Sequence, residues 1–148
     1  MPNWCMNNVT IRHADKRMIT AIYDAFNNER LCQTFLPVLD QDLQDCIDKW
    51  GCKWDVGAST GGATISDNGN IIDLSFDSAW TPPIAFYDEL VRLGCSVSAS
   101  YFEPGCCFVG EYINGEDDCY SYSPDQMAGQ VPAYLIDNYD IKSWYELD

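Results

Sequence analysis

The amino-acid sequence predicts an α+β fold, an antiparallel sheet with helices on one face. Three observations lead there. Two segments, at residues 15–28 and 81–94, repeat apolar side chains at helical spacing. Several shorter segments alternate apolar and polar residues, as half-buried strands do. The two kinds follow one another as β-α-(acidic helix)-β-β-α-β, with a β-hairpin and an apolar tail behind them. That order is the split βαβ, or ferredoxin-like, plan with a C-terminal extension, in one domain over residues 1–148.

Each element has a local reason. Trp4–Arg12 ends in the β-branched run Val9-Thr10-Ile11 and reads as a strand. Asp15 can cap a helix in which Met18, Ile22 and Phe26 recur every four residues beside Ile19 and Tyr23, and which Asn27-Asn28 ends. Pro37 breaks any regular element in Leu31–Val38. Leu39, Leu43, Ile47 and Trp50 then define the apolar stripe of a short helix. Its other faces carry Asp40, Asp42, Asp45 and Asp48, and Gly51 serves as C-cap. Gly57–Gly62 is a turn-rich loop without the GxxxxGK[ST] pattern of a phosphate-binding loop. Ala63–Ser66 and Asn70–Asp77 form a hairpin about an Asn-Gly turn, with Ile72, Leu74 and Phe76 on the buried face. Thr81-Pro82-Pro83 opens a helix, Thr81 as cap, that runs along Phe86, Leu90 and Leu93 to Gly94. Ser96–Phe102 is the next strand. Cys106–Ile113 and Cys119–Tyr122 make a second hairpin with Asn114-Gly115-Glu116-Asp117-Asp118 as an acidic tip. The tail Val131–Tyr145 holds Leu135, Ile136, Tyr139, Ile141 and Trp144, too apolar a set to be left in water, so it is expected to dock on the domain.

The chain has 148 residues, with 8 Lys and Arg against 23 Asp and Glu and a formal charge of −15. Aromatics at 14% separate it from a disordered acidic tail. The charge argues against direct binding of nucleic acid, which needs cations to neutralise phosphate, and against an anionic membrane surface. No apolar run approaches the ~20 residues that span a bilayer. Residues Met1–Cys5 lack the basic and apolar regions of a signal peptide, so a cytoplasmic location in a host cell is expected, with the eight cysteines as thiols. No cysteine pairs have zinc-site spacing; the nearest are Cys106-Cys107 and Cys46…Cys52. Most are expected to be small core residues.

Catalytic signals are thin. His13 is the single imidazole and has no nucleophile motif beside it. Asp55, Asp73 and Asp77 offer a divalent-cation alternative without the spacing of a calcium loop. Trp4, Trp50, Trp54 and Trp80 could stack bases, but only Lys49 and Lys53 lie beside them, and a core or capping role is expected instead, with Trp80 buried. No metal, cofactor or catalytic residue is therefore assigned.

Four strings are unusual: Met1-Pro2-Asn3-Trp4-Cys5, Trp50-Gly51-Cys52-Lys53-Trp54-Asp55, Ser78-Ala79-Trp80-Thr81-Pro82-Pro83, and Tyr101-Phe102-Glu103-Pro104-Gly105 continuing to Phe108-Val109-Gly110. Together, over residues 1 to about 110, they resemble the YubB-type ferredoxin-like domain of phages and conjugative plasmids. Cys52 departs from that pattern, where a Thr or similar small residue is expected. The resemblance implies a ferredoxin-like fold and a mobile-element setting, and it brings no catalytic residues.

Acidity is the most informative feature. Leu93–Asp148 holds ten acidic residues and one base, Lys142. Carboxylates at Asp40, Asp42, Asp45 and Asp48, and at Glu116, Asp117 and Asp118, can imitate a row of phosphates and attract a protein with a cationic groove. In the setting that the resemblance implies, the expected function is a non-catalytic acidic accessory protein. It would bind and block a basic, nucleic-acid-handling host defence factor, as anti-CRISPR or anti-restriction proteins do. The alternatives are a metal-dependent or thiol enzyme or metal-binding domain, and a structural module that self-associates.

Overall fold

The computed structural model describes residues 3–39 and 43–145. Its elements are β1 (Trp4–Arg12), α1 (Lys16–Asn27), α2 (Leu31–Phe35), α3 (Leu43–Trp50), β2 (Gly62–Ser66), β3 (Ile71–Ala79), α4 (Ile84–Arg92), β4 (Ser96–Glu103), β5 (Phe108–Ile113), β6 (Glu116–Ser121), α5 (Ala133–Asn138) and α6 (Ile141–Trp144). The strands form one sheet in the order β2-β3-β1-β4-β5-β6, every neighbouring pair antiparallel. None of the described helices is long and apolar enough to cross a membrane.

Strand alternation divides the apolar residues between two cores. Val9 and Ile11 of β1, Ile72, Leu74 and Phe76 of β3, Val97 and Ala99 of β4 and Tyr112 of β5 point to one face. There they meet Ile19, Ile22 and Phe26 of α1 and Phe86 and Leu90 of α4. On the opposite face Phe102 and Val109 are covered by Met127, Val131, Leu135, Ile136 and Ile141, so the C-terminal tail docks there as a separate layer.

Several local expectations hold. The Asp15 side chain accepts from the Arg17 N–H at 2.9 Å and starts α1. Gly51 and Gly94 follow α3 and α4 with φ of 91° and 93°, left-handed values that glycine tolerates without strain. His13 is a staple at the β1–α1 junction: its Nδ1 accepts from the Asp15 N–H at 2.9 Å and its Nε2 lies 3.2 Å from the Leu93 carbonyl.

Other expectations fail for identifiable reasons. The described part of the acidic helix is Leu43–Trp50, residues 40–42 lie outside the described residues, and Leu39 is in a bend, 97% exposed, not on the helix's apolar stripe. Thr81 does not cap α4. A residue that precedes proline is pushed out of the helical region, so Pro82-Pro83 delay the helix to Ile84, and the Thr81 hydroxyl donates to the Gly51 carbonyl at 2.5 Å instead. The second hairpin has no long tip. Asn114 and Gly115, with φ of 46° and 107°, make a two-residue turn, and Glu116, Asp117 and Asp118 are already in β6. Trp80 is not core: it is 38% exposed, at a φ of 74° that bulky residues rarely adopt.

Candidate functional site: an acidic hairpin and its groove

The β5–β6 hairpin, residues 108–121, contains four carboxylates and no Lys or Arg. It is held in place from both sides. Asn114 exchanges bonds with β4, its N–H donating to the Val97 carbonyl at 2.9 Å and its Oδ1 accepting from the Val97 N–H at 2.7 Å. Tyr112 donates to Asp88 of α4 at 2.6 Å. Gly110 gives Tyr101 room to lie across the hairpin, since a Cβ there would collide with the Tyr101 hydroxyl and the Asp118 carbonyl oxygen.

Register decides where each carboxylate points. Glu116, Asp118 and Tyr120 pair with Ile113, Glu111 and Val109, on the face that carries the tail. Glu111 and Asp118 are thus directly opposed like charges, an arrangement that destabilises a sheet. The Tyr134 hydroxyl of α5 donates to Glu111, and that carboxylate raises the Tyr134 pKa to about 12. Asp117, Cys119 and Ser121 point to the helix side. There Asp117 accepts from the Tyr101 hydroxyl at 2.5 Å, and burial first, then this carboxylate, holds the phenol far above its ordinary pKa.

On the helix side these three residues form one wall of a groove of about 440 Å³. Ile47 and Gly51 at the end of α3, with Pro82 and Ile84 at the start of α4, form the other wall, and Tyr101 and Phe108 lie between. The two acidic segments singled out in the sequence therefore flank one apolar groove, α3 on one side and β6 on the other. They do not make a single ridge. Asp45 and Asp48 are exposed on α3 outside the groove lining, Asp48 accepting from Gln44 at 2.8 Å. Asp117 faces the groove, and Glu116 and Asp118 face away from it. Asp40 and Asp42 lie outside the described residues. Ile47, Pro82, Ile84 and Phe108 were not singled out as site residues; the Asn114-Gly115 turn and the alternation around it carry the signal that places Phe108, whereas nothing local in the sequence brings Ile47, Pro82 and Ile84 opposite it.

The four unusual strings converge at one end of the sheet, where their polar atoms tie the chain together. The Trp80 N–H donates to the Asn3 carbonyl at 2.8 Å, the Lys53 N–H to Ala79 at 3.3 Å, and the Asn7 amide to the Ser78 hydroxyl at 2.9 Å. Glu103, almost fully buried, accepts from the Gly105 and Cys106 N–H groups at 2.7 and 2.6 Å. Of the tryptophans there, Trp50 is core and donates to the Leu36 carbonyl at 2.7 Å. Trp4, Trp54 and Trp80 are half-exposed, with the Lys53 ammonium 4.7 Å from the Trp54 ring centre and 4.5 Å from that of Trp80. At the centre of the sheet the opposite face presents Asn8, Thr10, Ser75, Ser98 and Ser100 with Asp73, a polar floor on which Asn8 and Ser100 bond the Tyr139 hydroxyl.

The carboxylates Asp55, Asp73 and Asp77 do not assemble. Asp55 is on the helix side, accepting from the N–H groups of Cys32, Gln33 and Val56, whereas Asp73 accepts from Thr10 on the opposite face. Among the described residues no group of three or more His, Cys, Asp or Glu side chains is placed to share a metal ion. Five cysteines are buried; Cys106 and Cys119 are exposed and Cys107 is half-buried. Comparison with protein-family models, curated proteins and solved structures gives no match.

Proposed function

We propose that this protein is a non-catalytic binding protein whose acidic hairpin engages the cationic groove of a nucleic-acid-handling protein. In the phage or plasmid setting that the sequence resemblance implies, the partner would be a host defence factor, a CRISPR effector or a restriction enzyme. We also read the sheet as a ferredoxin-like core with an added hairpin. The order β2-β3-β1-β4, with α1 between β1 and β2 and α4 between β3 and β4, supports that reading.

One observation carries the functional proposal: four carboxylates and no Lys or Arg on a braced two-stranded hairpin, beside a groove whose far wall is Ile47 and Gly51 at α3 with Pro82 and Ile84 at α4. Fixed charges of one sign raise the encounter rate with an oppositely charged surface and fix its orientation. The test is DNA cleavage by purified host restriction and CRISPR effector complexes, with and without the protein. Inhibition should weaken as salt shortens the screening length from about 8 Å at physiological ionic strength to about 3 Å at 1 M. It should be lost in a Glu116→Lys/Asp117→Lys/Asp118→Lys variant. Undiminished inhibition by that variant would refute the proposal.

A further inference from the structure

We infer that β6 is an acceptor strand: an extended segment of the partner, alternating basic and apolar residues, adds to the sheet beside it. The inference rests on the proposal of a cationic partner and specifies how that partner is held.

Among the described residues β6 closes the sheet order and pairs only with β5, so its outer backbone groups are unpaired within the sheet, and five of its six residues are exposed. An unpaired edge is a template for another strand. Charged side chains on an edge commonly serve to prevent such pairing, and here they oppose β6 pairing with the β6 of a second copy, which would set Glu116, Asp117 and Asp118 against their own counterparts. The same charges favour a strand that carries lysine or arginine. The other edge, β2, has the sequence Gly-Ala-Thr-Ile-Ser and offers no charge to select a partner.

The two sides of β6 ask for different residues. A strand laid along it places alternate side chains on opposite faces. Those on the tail side meet Glu116 and Asp118, with Glu111 behind them, and a cation there relieves the repulsion of the opposed pair Glu111 and Asp118. Those on the helix side pass Asp117, Cys119 and Ser121 and reach toward the groove lined by Ile47, Ile84 and Phe108, where an apolar side chain leaves water. The matching occupant is therefore basic at one parity and apolar at the other, over about the six residues of β6. In strand addition, main-chain bonds supply affinity and the alternating pockets supply specificity.

The test uses three synthetic peptides against the full chain, read by fluorescence anisotropy. The first alternates Lys with Leu or Val over nine residues; the second has the same composition with the lysines grouped; the third is the first with every second backbone nitrogen methylated on the edge-facing side. The alternating peptide should bind at least about tenfold tighter than either control, because only it satisfies both faces and the backbone. Hydrogen exchange should slow at those β6 amides that do not bond β5. Equal affinity for all three peptides would overturn strand addition and leave the cationic-partner proposal standing. Slowed exchange at β2 in place of β6 would overturn the choice of edge. The cationic-partner proposal fails separately, if charge reversal leaves the cleavage assay unchanged.

Discussion

Replacing Asp55 tests how the helix layer is joined to the loop behind α3. Its Oδ1 accepts from the N–H groups of Cys32 at 2.7 Å and Val56 at 2.8 Å, and its Oδ2 from that of Gln33 at 3.0 Å. Cys32 and Val56 are buried, whereas Gln33 is half-buried and can turn to water. Asp55→Ala orphans the two buried donors, at roughly 1–3 kcal/mol each, so a loss of about 2–6 kcal/mol is expected. Against a total of about 5–15 kcal/mol for a domain, that is a large fraction. Asp55→Asn keeps Oδ1 and both buried bonds, and sets an NH2 against the Gln33 N–H, so it should cost only about 1 kcal/mol at neutral pH. Urea unfolding of the three proteins gives the order. Burial pushes the Asp55 carboxyl above its ordinary range, so folding favours the protonated acid. That contribution is fully present below the unfolded-state value and is lost as pH rises through the folded-state value. The deficit of Asp55→Asn relative to the parent should therefore be largest in acid and shrink toward neutrality. An Asp55→Ala variant within about 1 kcal/mol of the parent, or an Asn variant as damaged as Ala, would refute the assignment of these bonds.

Four further outcomes are expected. Tyr87 is buried and its hydroxyl has no hydrogen-bond partner among the described residues, so Tyr87→Phe should leave the melting temperature unchanged or raise it; a clear fall would reveal an unrecognised partner. Desolvation raises the Asp77 carboxyl, so folding favours its protonated form; Asp77→Asn should raise the melting temperature at neutral pH and lose that advantage in acid, and the reverse trend would count against it. Trp80→Ala should cost about 1–2 kcal/mol in urea unfolding, below the ~3–5 kcal/mol of a fully buried large aromatic, and a loss in the upper range would place Trp80 in the core after all. An aromatic disulfide reagent should titrate three thiols in the native protein, Cys106, Cys107 and Cys119, and all eight after unfolding; burial pushes Cys95 to about 11 and Cys5 higher still, so rapid reaction of a fourth would show an opened core.

Legibility in the sequence followed how local each signal is. The stripe Met18, Ile22 and Phe26 and the cap at Asp15 lie within one element, and α1 ends at Asn27 as they require. The alternation of Ile72, Leu74 and Phe76 places the face of β3 for the same reason. α2 escaped notice because what starts it is distant: the carboxylate that binds its first N–H groups belongs to Asp55, more than twenty residues on. Thr81 misled through an ordinary capping pattern, since two consecutive prolines move the helix start beyond the reach of its hydroxyl. Trp80 misled because size and apolarity speak for burial, while its left-handed backbone turns the ring toward Lys53.

The candidate site was half legible for a physical reason that also governs its behaviour. Counting carboxylates finds the acidic segments, but three consecutive acids in a strand do not form a cluster: adjacent side chains point to opposite faces. Glu116 and Asp118 stand in water on the tail side with Glu111 across the ladder, whereas Asp117, exposed as well, accepts from Tyr101 on the groove side. Exposed charges are screened by salt, whereas apolar burial is not weakened by it. A partner held on both sides of β6 should therefore lose the open-face share of its affinity as ionic strength rises and keep the share that comes from apolar burial against Ile47, Ile84 and Phe108. Binding that vanished entirely at high salt would show that the groove contributes nothing and that charge alone holds the partner.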